Sequence, residues 1–269
     1  MSIEPTRATL RRFAVLAPLA ALCLTSCAPA LSRSRVRPLT SETFVRLHDH
    51  DLTLHLTAPR AQAHPLLLVY ATGDAGWWGK DRDVYKQLNE WGYAVVGFSA
   101  REYVHHLGKD ALLPREVASD YDAIIRRAAS SLGLSASTRV VLIGKSRGAG
   151  LAVAAAGAQM LRPRLAGVLA VGLTGEEEYV HRRLRRSRAR QLVMLETYSY
   201  LPQIGDIPVA VIQSTHDSYV PAQEARRRFG PDTSSRELVA IESNDHNFGG
   251  AIDRLYGEME RSLQWLVQR

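Results

Sequence analysis

The run Gly144-Lys145-Ser146-Arg147-Gly148 sets a serine between two glycines, where the apolar stretch Val140–Ile143 gives way to an Ala-rich one. A serine hydroxyl is a poor nucleophile until a base takes its proton during attack on a carbonyl. G-x-S-x-G between a strand and a helix holds that hydroxyl exposed on a sharp, strained turn. Its glycines let neighbouring backbone pass close, and the helix directs its positive end at the serine. Two later segments carry residues of the types such a serine needs. Val209–Ile212 leads into a loop containing Asp217, and Glu237–Ile241 is followed by Ser243-Asn-Asp-His246-Asn-Phe-Gly-Gly250. An acid past the end of a strand is positioned to orient a histidine and stabilise its imidazolium. The expected roles are therefore Ser146 as nucleophile, His246 as base and Asp217 as orienting acid. Asp245 is a competing acid, but it adjoins His246 in sequence, which makes the approach to Nδ1 awkward. The chain order Ser, Asp, His, each at a strand's carboxyl end, is that of α/β-hydrolases.

Attack also builds an oxyanion, which needs donors already in place. One expected donor is the backbone N–H of Arg147. The other is expected from the glycine-rich loop Ala71-Thr-Gly-Asp-Ala-Gly-Trp-Trp78, at the Asp74 N–H or alternatively that of Ala75. Trp77, or its neighbour Trp78, is a candidate for lining the substrate pocket. Lys145 and Arg147 either hold a substrate phosphate or carboxylate or pair with Asp74, Asp120 or Glu102. This chemistry calls for no cofactor. His48, His50 and His55 have no acidic or thiol partner at ligand spacing, so they read as strand-face residues and no metal is expected.

These side chains need a frame. Phe44–Pro59 alternates in polarity around Asp49-His50-Asp51, the signature of a β-hairpin with a polar turn. Short apolar runs follow at 66–70, 94–98, 140–143, 165–171, 209–212 and 237–241. Helical stretches lie near 81–91, 116–131, 148–160, 222–229 and 250–267. Strand–helix alternation with unbroken apolar strands implies a mostly parallel central sheet with helices on both faces. Between Leu173 and Pro208, two late strands leave room for a short cap. If helical, its segment His181–Arg190 brings Arg182, Arg186 and Arg190 onto one face, to dock on anionic lipid or steer an anionic substrate.

The amino terminus reads as targeting. Arg7, Arg11 and Arg12 precede the apolar run Phe13–Leu24, which is too short to span a bilayer as a helix. It ends in Leu24-Thr25-Ser26-Cys27, which resembles a bacterial lipobox and implies cleavage before a lipidated Cys27. Ala28 at the next position favours the outer over the inner membrane. The expected division is a signal peptide over 1–26, a lipidated tether over 27–40 and one α/β-hydrolase domain over 41–269. The formal charge of +7 looks at first like a nucleic-acid binder. Its excess, however, sits in the signal, in the tether (Arg33, Arg35, Arg37) and in the six arginines of 182–190, leaving the remainder mildly acidic. The expected partner is thus a membrane surface, not nucleic acid.

Gly73-Asp74-Ala75-Gly76-Trp77, followed by Val95-Val96-Gly97 and Arg101-Glu102-Tyr103, resembles the VirJ/AcvB bacterial virulence proteins. The serine elbow and His246-Asn247-Phe248 have counterparts there, and the resemblance spans roughly residues 66 to 267. It implies an exported α/β-hydrolase of the cell envelope. In some members this activity is tied to aminoacylated phosphatidylglycerol, in others to type IV secretion. The elbow departs from the family's pattern, with Lys145 and Arg147 where aromatic residues are common. The expected function is a lipid-anchored serine hydrolase cleaving a carboxylester or aminoacyl ester, its substrate an anionic or aminoacylated phospholipid. Peptidase, thioesterase and acyltransferase activities use the same triad. The alternative is a non-catalytic envelope adaptor with a secretion-system partner.

Overall fold

The computed structural model describes residues 40–59, 64–107, 114–183 and 190–268. The expected signal peptide and lipidation site Cys27 lie outside these residues, as does Arg186. Strands β1 (Thr40–Leu47) and β2 (His50–Thr57) form the expected hairpin, but its turn lies one step earlier than the acidic cluster implied. His48 and Asp49 are the two turn residues, with φ of 44° and 69°. Positive φ at both positions matches the twist of the flanking strands, and Asp tolerates it better than most residues. Asp120 holds this turn in place: its carboxylate accepts hydrogen bonds from His48 Nε2 at 3.0 Å and from the Tyr103 hydroxyl at 2.7 Å.

The remaining elements alternate. In chain order they are β3 (Leu66–Ala71), α1 (Lys80–Glu90), β4 (Ala94–Phe98), α2 (Ala100–Leu107), α3 (Pro114–Ser131), β5 (Arg139–Lys145), α4 (Arg147–Gly157) and β6 (Leu165–Val171). After the cap follow β9 (Val209–Ser214), α6 (Ala222–Phe229), β10 (Arg236–Ile241) and α7 (Ile252–Val267). Eight strands form one sheet in the order β1-β2-β4-β3-β5-β6-β9-β10. β2 alone is reversed, pairing antiparallel with both of its neighbours β1 and β4, and every pair from β4 to β10 is parallel. Alternate residues of a strand point to opposite faces, so a strand covered on both sides must be apolar throughout. β3 shows this directly. Leu67, Val69 and Ala71 join the core formed with α3 and α4, whereas Leu66, Leu68 and Tyr70 join the core formed with α1 and α7.

The cap differs from the helical reading. β7 (Glu176–Arg183) and β8 (Arg190–Glu196) pair antiparallel as a separate two-stranded sheet, with Arg182 opposite Gln191 and Arg183 opposite Arg190. Arg182 and Arg190 therefore stand on paired strands and not on one helix face. A 3-10 turn, Thr197–Tyr200, and the one-turn helix α5 (Leu201–Ile204) return the chain to β9. Helix α2 adds an element to the expected ones, and Ser99-Ala-Arg-Glu102 at its start has the spacing of a capping box. Ser99 Oγ accepts the Glu102 backbone N–H at 3.0 Å. Among the described residues no helix is long and apolar enough to cross a membrane.

Candidate active site

The turn from β5 into α4 is built by close backbone packing. A Cβ on Gly144 would lie 2.0 Å from the Gly148 carbonyl oxygen, and one on Gly148 would lie 2.2 Å from that of Ala71. Only glycine fits either position. Between them Ser146 has φ 53° and ψ −121°, a conformation costly for a residue with a side chain and characteristic of strained functional turns. Its N–H donates to the Val171 carbonyl at 2.8 Å, which ties the turn to β6.

Parallel strands bring the loops that follow them to one end of the sheet. Asp217 lies three residues past β9, and His246 lies in the loop between β10 and α7. His246 Nδ1 is 2.6 Å from Asp217 Oδ2, and His246 Nε2 is 2.9 Å from Ser146 Oγ. A carboxylate only accepts, so the Nδ1 proton points at Asp217 and Nε2 is left to accept the serine proton. The second Asp217 oxygen accepts the N–H groups of Tyr219 at 2.8 Å and Val220 at 3.2 Å, and Gln213 Nε2 donates to Oδ2 at 2.9 Å. Asp217 is only 2% exposed, so these donors replace the water it has lost. Asp245, the competing acid, instead accepts the N–H groups of Asn247 and Gly249 within its own loop, and these bonds lower its pKa. Phe248, fully buried at φ 57°, anchors that loop in the core.

The loop after β3 packs against the serine: a Cβ on Gly73 would stand 3.5 Å from Ser146 Cβ. Gly73 N–H is engaged with Asp81 Oδ1 at 3.1 Å, so the next N–H along the loop is that of Asp74. Lys145, considered above as a substrate ligand, is buried, and its ammonium lies 3.5 Å from Asp81 Oδ2, a partner the sequence did not single out. The Arg147 guanidinium pairs with the Asp74 carboxylate and lies 3.9 Å from Glu177 Oε2 at the start of β7. Glu177 is itself buried. That burial raises its pKa, against the Thr174 hydroxyl and Arg147, which favour the carboxylate. Ser146, His246, Asp217 and the loop after β3 thus meet in one place, an arrangement able to carry out acyl transfer from an ester or amide.

Residues 65–183 match the family model of the bacterial virulence protein VirJ. The VirJ match takes in the Gly73–Trp77 loop and the serine elbow, and it ends with β7, before Asp217 and His246. No curated protein matches the sequence. Solved structures similar to this chain include Est1E from Butyrivibrio proteoclasticus, with 12% identity over 85% of this chain and 99% of that one, at a TM-score of 0.62. An alpha-beta serine hydrolase homologue from Coxiella burnetii has 18% identity over 85% and 96%, at 0.58. The esterase Pf2001 from Pyrococcus furiosus has 13% identity over 84% and 90%, at 0.60. The fold is that of the α/β-hydrolases.

Within the VirJ-matched region Trp77 has a different place from the one expected. It stacks on His55 at 3.8 Å, meets Tyr85 edge-on at 4.8 Å and lies over Gly97, where a Cβ would come within 2.5 Å of its ring. Its ring packs β2 against β4 and α1. Trp77→Ala is expected to cost about 2–3 kcal/mol of stability, as a half-buried large-to-small change, and to leave KM unchanged. Thermal unfolding and ester kinetics on one preparation check both. Trp78 beside it is 74% exposed.

Several residues at the site had no readable signal. Gly172, at φ 62°, makes room for His246, whose Cε1 would lie 3.1 Å from a Cβ there. Tyr219 meets the His246 ring edge-on at 4.8 Å. Gln213, Asp81 and Glu177 are polar residues whose burial follows from tertiary packing alone. Among the described residues no three His, Cys, Asp or Glu side chains are placed to hold a metal ion.

Proposed function

We propose that this chain is an exported, lipid-anchored serine hydrolase that cleaves an ester in the cell envelope. The observation that carries the reading is the continuous hydrogen-bond path from Asp217 through His246 to Ser146, ending on a serine held in a strained backbone conformation. In this reading His246 Nε2 takes the Ser146 proton as Oγ attacks the carbonyl carbon. Asp217 holds the imidazole in the required tautomer and stabilises its positive charge. The N–H groups of Arg147 and Asp74 receive the oxyanion. The same imidazolium then protonates the leaving alkoxide, and water repeats the sequence to release the acid.

The lipobox-like Leu24-Thr25-Ser26-Cys27 supports export, with lipidation at Cys27 and attachment on the periplasmic face of the envelope, at the outer membrane in preference to the inner. In this reading residues 27–40 form a short tether and 41–269 a hydrolase domain. The substrate in this reading lies in the same place, an ester of an anionic or aminoacylated phospholipid, as the resemblance of the Gly73–Trp77 loop to the VirJ/AcvB proteins implies. The arginines at 182 and 186 in the cap supply positive charge for such a surface.

The test is covalent. A fluorophosphonate probe is expected to modify wild-type protein at Ser146 and leave Ser146→Ala unmodified, as read by mass spectrometry of the intact chain. Incubation of both proteins with envelope lipid extract then identifies the substrate as the ester that only the wild type consumes. A wild-type chain that does not react with the probe overturns the hydrolase reading and leaves the envelope adaptor in its place.

A further inference from the structure

We infer that Lys145 and Arg147, the two cations flanking the serine, are the arms of a clamp that positions the oxyanion loop and do not bind substrate. This inference rests on the hydrolase reading and on the Asp74 N–H as the second oxyanion donor.

The inner arm is buried. Lys145 Nζ lies 3.5 Å from Asp81 Oδ2, while Asp81 Oδ1 accepts the Gly73 N–H at 3.1 Å and the Tyr70 hydroxyl at 2.7 Å. Asp81 is 3% and Lys145 7% exposed. Asp81 sits in the first turn of α1, where the helix dipole favours a carboxylate. The outer arm is the Arg147 guanidinium, paired with the Asp74 carboxylate and flanked by Glu177. The donor peptide runs from Gly73 to Asp74. One end is held through the Gly73 N–H and the other through the Asp74 side chain, and both holds lead back to residues adjacent to Ser146. The peptide is thereby fixed in orientation relative to the nucleophile itself. An oxyanion donor works only if it is already aimed when charge develops, so this is where two charged pairs have most effect on rate.

With Asp81 buried behind the loop and Asp74 in front of it, a cation on each side of Ser146 meets a carboxylate on each side of the loop.

The experiment measures kcat and KM on a short p-nitrophenyl ester for Asp81→Ala, Asp74→Ala, Arg147→Gln, Arg147→Lys and the double variant Asp74→Ala/Arg147→Gln. Thermal unfolding of each protein is recorded alongside. Asp81→Ala is expected to lower kcat by on the order of 10²-fold, the scale of a misplaced reacting group, with KM within about twofold of wild type. Asp74→Ala and Arg147→Gln are each expected to lower kcat about fivefold, the double variant no further than either alone, with Arg147→Lys restoring most of the loss. Additive losses in the double variant overturn the clamp. So does a rise in KM confined to the Arg147 variants, which would mark a substrate ligand, and so do lowered melting temperatures with kcat unchanged. The outer pair is partly exposed, so its cycle decides the matter even if Asp81→Ala does not fold. Wild-type protein with no turnover that Ser146→Ala removes overturns the hydrolase reading and the clamp together. Turnover that depends on Ser146 with an additive cycle overturns the clamp alone.

Discussion

Ser146→Ala is expected to reduce kcat on a short p-nitrophenyl ester by on the order of 10⁶-fold, leaving only the rate that binding and oxyanion donors provide without a nucleophile. The size follows from how the site is connected. His246 Nε2 has the serine hydroxyl as its partner at 2.9 Å, and Asp217 acts only through His246, so removing Oγ leaves the other two with nothing to activate. His246→Ala is expected to fall to a similar level, and the double variant no lower, because the residues act as a unit. Stability should change little on removing one hydroxyl from a partly accessible position. The melting temperature of Ser146→Ala should therefore match wild type within about a degree or rise slightly, since alanine leaves fewer polar atoms to satisfy. Turnover persisting within tenfold of wild type would remove Ser146 from the chemistry.

Gly148→Ala is expected to have a structural effect out of proportion to its single methyl group. The new Cβ would lie 2.2 Å from the Ala71 carbonyl oxygen and 2.6 Å from that of Thr72, and both are backbone atoms with no rotamer to change. Either α4 moves away from β3 or the end of β3 shifts. We expect a loss of about 3 kcal/mol or more, at the upper end of overpacking, and loss of activity in whatever fraction still folds. Activity goes with stability here because Ala71 and Thr72 lead directly into Gly73 and Asp74. Gly157→Ala, at the other end of the same helix, is the control. Its nearest neighbour would be 3.6 Å from the new Cβ, and the same change is expected to be neutral or stabilising by up to about 1 kcal/mol. Chemical denaturation of the two variants separates a clash from a general intolerance of alanine in α4.

The buried strands and their ends were legible in the chain because burial on both faces leaves a simple trace. A run such as Leu165–Val171 has no polar residue, and the residue after such a run stands at the sheet's carboxyl end. That places Ser146, Asp217 and His246 at one end of the sheet on sequence alone. The cap was not legible in the same way. Its charged sequence fits a helix face and a strand edge equally, and pairing between β7 and β8 decides for strands. Helix α2 was missed although its cap was visible at Ser99, because eight residues provide too few turns for a periodicity to stand out.

The charged residues mark the division most clearly. Lys145, Arg147, Asp74 and Asp81 are separated by up to 73 positions, and no local pattern relates them. Trp77 likewise reads as a pocket residue from its place in a glycine-rich loop, yet Gly97 on β4 leaves a space that its ring fills. Composition and spacing act locally, so they set which segments become strands, where the turns need glycine and which residue types stand at the strand ends. Which carboxylate a cation meets, and whether an aromatic ring faces a substrate or a neighbouring strand, depends on contacts across the sheet. Those partners exist only after β3 and β5 have paired and brought the loop after β3 against the serine.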